Sequence, residues 1–230
     1  MSELLGLIHA RYATCLTYED RAEAVTISTY EDGQPPRSET LTFSTLFDRA
    51  TGAFRFEYEV PNRWGPTKRA VIWQVNHGPA HLWWTVTGAQ RVDALERHIA
   101  AQTGVSSGTV STVPPLLLGR PLPQPYEAVG ADDTSLLRSL VHRKGESETT
   151  LFVSEDGTLR HYIDRDLIST EGIGMPNLPN ITDDERGELE AALRTPRRFR
   201  IERTVRYEPV FDQPISPERF EFVPPIEPST

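Results

Sequence analysis

The chain has 230 residues, with 24 Lys+Arg against 33 Asp+Glu and a formal charge of −9, a balance that argues against a nucleic-acid binder, which carries a basic face or stripe. A single cysteine, Cys15, excludes an intramolecular disulfide framework and a thiolate metal cluster, and no apolar run approaches the roughly 18–20 residues of a membrane span. The stretch from Met1 lacks a basic region followed by an uninterrupted apolar one, so a chain starting there is expected in the cytoplasm; a signal peptide ahead of it would place it in the periplasm or cell envelope.

Leu4, Leu5, Ile8, Tyr12 and Cys15 fall at helical spacing and predict an amphipathic helix from residue 2 to about 16. The period then changes to two. Glu23–Tyr30 and Arg37–Phe47 read as strands joined by the turn chemistry of Glu31-Asp-Gly-Gln-Pro-Pro36. Ala53–Val60 alternates most clearly, Phe54, Phe56, Tyr58 and Val60 against Arg55, Glu57 and Glu59, so one face is buried and the other wet. Arg69–Val75 and Ala80–Val86 are two further strands, in which the neighbours Ile72–Trp73 and Trp83–Trp84 predict contact on both faces.

Arg91–Thr103 reads as a helix with Val92, Leu95 and Ile99 inward, stopped by Gly104. Pro114-Pro-Leu-Leu-Leu-Gly119 predicts one short helical turn. Strands follow at Leu136–His142, Glu148–Ser154 and Leu159–Asp164, the last two joined by the tight-turn signal Glu155-Asp-Gly157. Leu167–Asn180 reads as a loop, and Thr182 with Glu185 as a capping box opening a short helix to about Arg194. Arg197–Tyr207 and Phe220-Glu-Phe-Val223 close the chain as strands. The expectation is a mostly β (α+β) domain over residues 1–223, a single strongly curved antiparallel sheet forming an open half-barrel with helices on its concave face, and a proline-rich tail at 224–230.

Catalytic signatures are missing: there is no Gly-rich phosphate loop, nucleophile elbow or metalloprotease helix, and no enzyme or cofactor is expected. Cys15 belongs to an apolar stripe and reads as an inert core thiol. His77 and His81 lie close enough to share a metal, but no Cys or carboxylate completes a local set. Asp132-Asp133 and the Asp164/Asp166 pair read as solvated acids, and the run Arg194, Arg197, Arg198, Arg200, Arg203 and Arg206, interleaved with Glu202 and Glu208, as a solvated strand face.

The order of the aromatic strands carries a resemblance. Phe43-Ser-Thr-Leu-Phe-Asp-Arg49, Gly52-Ala-Phe-Arg-Phe-Glu-Tyr58, Ala70-Val-Ile-Trp73 and Leu82-Trp-Trp84 resemble the opening sheet of the LolA/LolB-like superfamily of outer-membrane lipoprotein carriers. Thr103–Gly108 with Val113-Pro-Pro-Leu-Leu-Leu118, and Thr204–Ile215 with Pro217–Phe222, resemble uncharacterised bacterial members, so the likeness spans residues 1 to about 223. It implies an open β-barrel with a helical lid and an apolar cavity, which in the carriers holds acyl chains, and an arginine near that cavity for which Arg37 is the positional candidate. The expected lining is Phe43, Phe56, Tyr58, Trp73, Trp84, Leu95, Leu117 and Arg37. The expected function is non-enzymatic binding of a lipid or other hydrophobic ligand, as carrier or sensor. The alternative is a protein-interaction module of the same fold whose cavity is filled by its own side chains.

Overall fold

The computed structural model describes residues 3–60, 67–85, 87–92, 94–102, 106, 108–122, 125–129, 137–171, 182–194 and 197–225. Helix α1 (Glu3–Thr14) leads into the long antiparallel strands β1 (Thr17–Tyr30) and β2 (Arg37–Asp48), then β3 (Ala53–Val60), β4 (Lys68–Gln74), β5 (Ala80–Trp84) and β6 (Gly88–Val92). Two short helices follow, α2 (Leu95–Gln102) and α3 (Val113–Leu117), with a 3-10 turn at Thr109–Ser111 before the second. Strands β7 (Glu127–Val129), β8 (Arg138–Lys144), β9 (Ser147–Val153) and β10 (Leu159–Ser169) form a second meander. Helix α4 (Asp183–Arg194) then precedes β11 (Arg198–Tyr207) and β12 (Val210–Phe211).

All the strands join one sheet in the order β6-β5-β4-β3-β2-β1-β11-β10-β9-β8-β7, with β12 also on β1. Every pairing is antiparallel and the edge strands β6 and β7 do not meet, so the half-barrel stays open. Residue alternation then decides which side chains face the helices. Register places Phe43 opposite Ala22 and Tyr58, and Ile72 opposite Phe56 and Leu82, so these share the inner face. Against them pack Leu4, Ile8 and Tyr12 of α1, Leu95 and Ile99 of α2, and Val113, Leu116 and Leu117 of α3. Each such large apolar side chain withdrawn from water contributes about 1.5–3 kcal/mol. The β9–β10 turn reaches under α1, where Gly157, at φ 83°, lies so close that a Cβ would stand 2.6 Å from the Leu7 carbonyl oxygen.

The outer face is wet except where the C-terminal segment crosses it. Val71, Trp73 and Trp83 pack with Phe222, and Leu46 and Ala53 pack with Phe220 and Ile215. The paired neighbours Ile72–Trp73 and Trp83–Trp84 therefore are contacted on both faces, as their sequence suggested. The covering segment corrects one expectation: residues 220–223 are not a strand but a 3-10 turn (Pro217–Phe220) followed by irregular backbone. Arg55 Nη1 donates to the carbonyls of Arg219 and Glu221, both at 3.0 Å, and so occupies acceptors that a strand would give to a neighbour.

Other differences have similar causes. Strand β1 starts at Thr17, six residues before the expected Glu23, because Asp20, which interrupts the apolar pattern, faces inward and is buried. The expected helix Arg91–Thr103 divides into β6, a polar edge strand with no apolar alternation, and α2. Strand β10 runs on to Ser169, into the expected loop, while β7 and β12 are too short to leave a period. The capping box stands as read: the Thr182 backbone N–H donates to Glu185 Oε2 at 2.8 Å, and the Glu185 N–H returns to Thr182 Oγ1 at 3.2 Å. The expected helix stop at Gly104, the Asp132-Asp133 turn, Leu136, residues 172–180 of the loop and most of the tail lie outside the described residues.

Candidate functional site

Six of the eight expected lining residues come together on the helix-facing side. Phe43, Phe56 and Tyr58 form an aromatic row, with ring centroids 5.7 Å apart for the first pair and 6.1 Å for the second. The Tyr58 hydroxyl donates to Gln102 Oε1 of α2 at 2.8 Å. Leu95 and Leu117 meet this row from α2 and α3, and Trp84 packs half-buried beside it, its indole nitrogen enclosed and without a hydrogen-bond partner among the described residues. Two residues stand elsewhere. Trp73 follows the inward Ile72, and a period of two sends it to the outer face, where it stacks on His81 at 5.0 Å and meets Phe222 edge-on. Arg37 is exposed at the start of β2 and pairs with Glu39 at 2.7 Å.

The arginine tied to the helices is Arg49, in the β2–β3 turn, which the sequence reading passed over. Its Nε donates to the Cys15 carbonyl at 2.8 Å, and Nη2 donates to the carbonyls of Tyr12 at 2.9 Å and Leu117 at 3.1 Å. These are carbonyls at the ends of α1 and α3, the ones an α-helix leaves without internal partners. One five-donor guanidinium thus fastens two helix C-termini to the sheet, lying over the Phe47 ring at 5.0 Å. Nothing in the sequence links residue 49 to carbonyls 34, 37 and 68 positions away.

Beside Arg49 opens a groove of about 410 Å³. Phe47, Phe54, Leu95, Leu117 and Leu118 supply its apolar lining, and Arg49, Gln74, His77 and Glu96 its polar one. The β4–β5 turn closes one end: Asn76 and His77 take positive φ, and the His77 ring lies where a Cβ on Gly52 would be, 2.2 Å from that position. His77 and His81 are separated by this arrangement, one on Gly52 and the other on Trp73. Among the described residues, no group of three or more His, Cys, Asp or Glu is placed to hold a metal ion. A larger hollow of about 530 Å³ lies between charged side chains of the outer face, including Arg21, Glu23, Glu57 and Arg206.

One acid of the inner face is fully buried and another half-buried. Asp20 is buried under α1, its Oδ1 accepting from the Thr45 N–H at 2.7 Å and its Oδ2 from the Tyr18 hydroxyl at 2.8 Å. Burial pushes its carboxyl up to about 7 against the opposing pull of those hydrogen bonds. Asp164, on the strand β10, pairs inward with Arg203 at 3.2 Å, so the basic run splits between faces. Burial raises the Cys15 thiol, and its Sγ donates to the Tyr12 carbonyl at 3.2 Å, as suits an inert core group.

No family model matches this chain, and no curated protein does. Among solved structures it is similar to a DUF1329 family protein from Desulfovibrio piger (9% identity, 95% of each chain, TM-score 0.40). It is also similar to a domain described as an outer membrane lipoprotein-sorting protein from Vibrio parahaemolyticus (7%, 95% of this chain and 94% of that one, TM-score 0.37). A LolA superfamily protein from Nitrosomonas europaea aligns at 9% identity over 95% of this chain and 96% of that one, with a TM-score of 0.31. At these scores none assigns an activity, and what the site does is argued from its own residues.

Proposed function

We propose that this protein binds an amphiphilic or hydrophobic molecule without altering it chemically, the apolar part lying along α3 against Phe47, Phe54, Leu95 and Leu117 and the polar end at Arg49, Gln74 and His77. The observation that carries this reading is the groove itself. Its volume, about 410 Å³, lies within the roughly 300–1,000 Å³ usual for ligand sites, and it sets Phe47, Phe54, Leu95, Leu117 and Leu118 beside a polar surface that makes up the larger share of its wall. Each methylene withdrawn from water there would contribute about 0.8 kcal/mol. A chain longer than the groove would follow it inward as α3 and the end of α1 part from the wall, a movement opposed by the three hydrogen bonds of Arg49. Phe43, Phe56, Tyr58 and Trp84 would then become lining, and the superfamily that the sequence resembles, the lipoprotein carriers, uses its interior for acyl chains.

A second reading rests on a specific observation: the aromatic row is already covered by the chain's own helices, with Phe56 fully buried and Phe43 5% exposed. In that reading the protein is an interaction module meeting its partner elsewhere. Native mass spectrometry with an added long-chain fatty acid separates the two. A saturable one-to-one adduct that Leu118→Trp abolishes by filling the groove, with its melting temperature retained, is the result expected of the first. No adduct, with wild type and with Arg49→Gln alike, supports the second and rejects the first.

A further inference from the structure

The outer face of β3–β5 carries a socket that the chain closes with its own C-terminal strap, residues 215–223. Val71, Trp73 and Trp83 meet Phe222 there, and Leu46 and Ala53 meet Phe220 and Ile215. Much of the socket is built without the strap. Trp73 stacks on His81 at 5.0 Å, and Glu57 holds the Arg55 guanidinium at 2.7 Å and that of Arg69 at 2.5 Å. Arg55 Nη1 is thereby aimed at the backbone of the segment that crosses it, where the carbonyls of Arg219 and Glu221 accept at 3.0 Å. The strap adds nothing to the ladder of the sheet. Among the described residues, the backbone N–H bonds it makes are to its own turn, Arg219 to Ser216 and Glu221 to Glu218. It is seated by side chains, and it leaves the domain at a fixed pivot: the Leu16 N–H donates to Asp212 Oδ1 at 2.7 Å, Thr17 Oγ1 donates to the Gln213 carbonyl at 2.7 Å, and Pro214 follows. Leu16 (65% exposed) and Val210 (47%) stand beside this pivot and Val223 (85%) at the far end of the strap. These are three of the five large apolar side chains exposed among the described residues, so the open apolar surface gathers where the strap begins and ends.

We propose that this surface is an exchange interface between two copies of the chain, the strap of each seated in the socket of the other. The occupant follows from what the socket holds, a segment that every copy carries. Each exchanged contact has the same residues as the internal one, so the cost is that of association and of turning at residues 212–214. Exchange brings the two pivots together and gives Leu16 and Val210 a facing surface. The inference does not rest on the groove reading: a Leu118→Trp protein should exchange unchanged.

The test is native mass spectrometry and light scattering of the full chain over a rising concentration series, with isotope-labelled and unlabelled wild type mixed to follow exchange. A dimer fraction that grows with concentration and scrambles its labels is expected. The double variant Phe220→Ala/Phe222→Ala lacks the plug and should be monomeric alone; Trp73→Ala damages the socket and should dimerise at least about tenfold more weakly than wild type. Mixed, the two should form a one-to-one heterodimer, the intact strap of the second filling the intact socket of the first, and the red-shifted tryptophan emission of the plugless chain should return toward the blue. Wild type that stays monomeric throughout the series, no heterodimer from variants that each melt cooperatively, or a dimer that persists in the plugless chain alone overturns the proposal. The wild-type series decides by itself where either variant fails to fold.

Discussion

Asp20 brings a carboxylate into the space between sheet and helix with a phenol and one backbone N–H as its hydrogen-bond donors. Its folded pKa of about 7 stands above the ordinary 3.8, so the folded protein takes up this proton before the unfolded chain does. Stability from this group is therefore fully present below the ordinary value and is lost as pH rises through about 7. Urea unfolding from pH 5 to pH 8 should show wild type losing on the order of a few kcal/mol relative to Asp20→Asn, whose profile lacks the step; parallel profiles would contradict the burial argument. Arg49 supports a second expectation at this scale. Arg49→Gln should cost about 2–3 kcal/mol and speed amide exchange in the last turns of α1 and α3, and Arg49→Lys should restore little, since a point charge cannot reach three carbonyls. Neither residue was legible as a sequence: Asp20 sits in a charged Glu-Asp-Arg run, and the partners of Arg49 are assembled only by the fold.

At the scale of elements, what the sequence showed most reliably was alternation. Ala53–Val60 has the bounds its period indicated, and the Thr182/Glu185 box opens its helix, because both signals are local. Elements held by distant partners escaped. The C-terminal segment took the appearance of a strand from Phe-Glu-Phe, yet those rings are anchors: Phe222 lies 5.1 Å from the Trp73 ring and 5.5 Å from that of Trp83, with Arg55 and Arg69 5.6 Å away. Phe222→Ala should therefore destabilise by about 2 kcal/mol, below the usual cost for a fully enclosed Phe because the ring is half-buried, and should shift tryptophan emission to the red. Gly157→Ala tests the turn under α1. A Cβ against the Leu7 carbonyl, at positive φ, should cost about 2 kcal/mol or more, measured by urea unfolding; a neutral substitution would show that α1 is not held there.

At the scale of the molecule, an open antiparallel sheet with helices on its concave side followed from strand count, hairpin turns and the amphipathic first helix. The site followed only in part. Four inner positions, Phe43, Phe56, Tyr58 and Trp84, were readable from the strands and two, Leu95 and Leu117, from short helix signals, whereas the groove depends on two turns, an arginine and two helix ends brought together from across the chain. No helix among the described residues is long and apolar enough to cross a membrane. Entry of an apolar ligand into the space beside α3 can be read by native mass spectrometry of the gently purified protein, followed by extraction of whatever travels with it. A stoichiometric hydrophobic adduct, lost on unfolding and absent from Leu118→Trp, is expected. A clean mass for the unliganded chain, unchanged by added fatty acid or phospholipid in both wild type and Arg49→Gln, would contradict it.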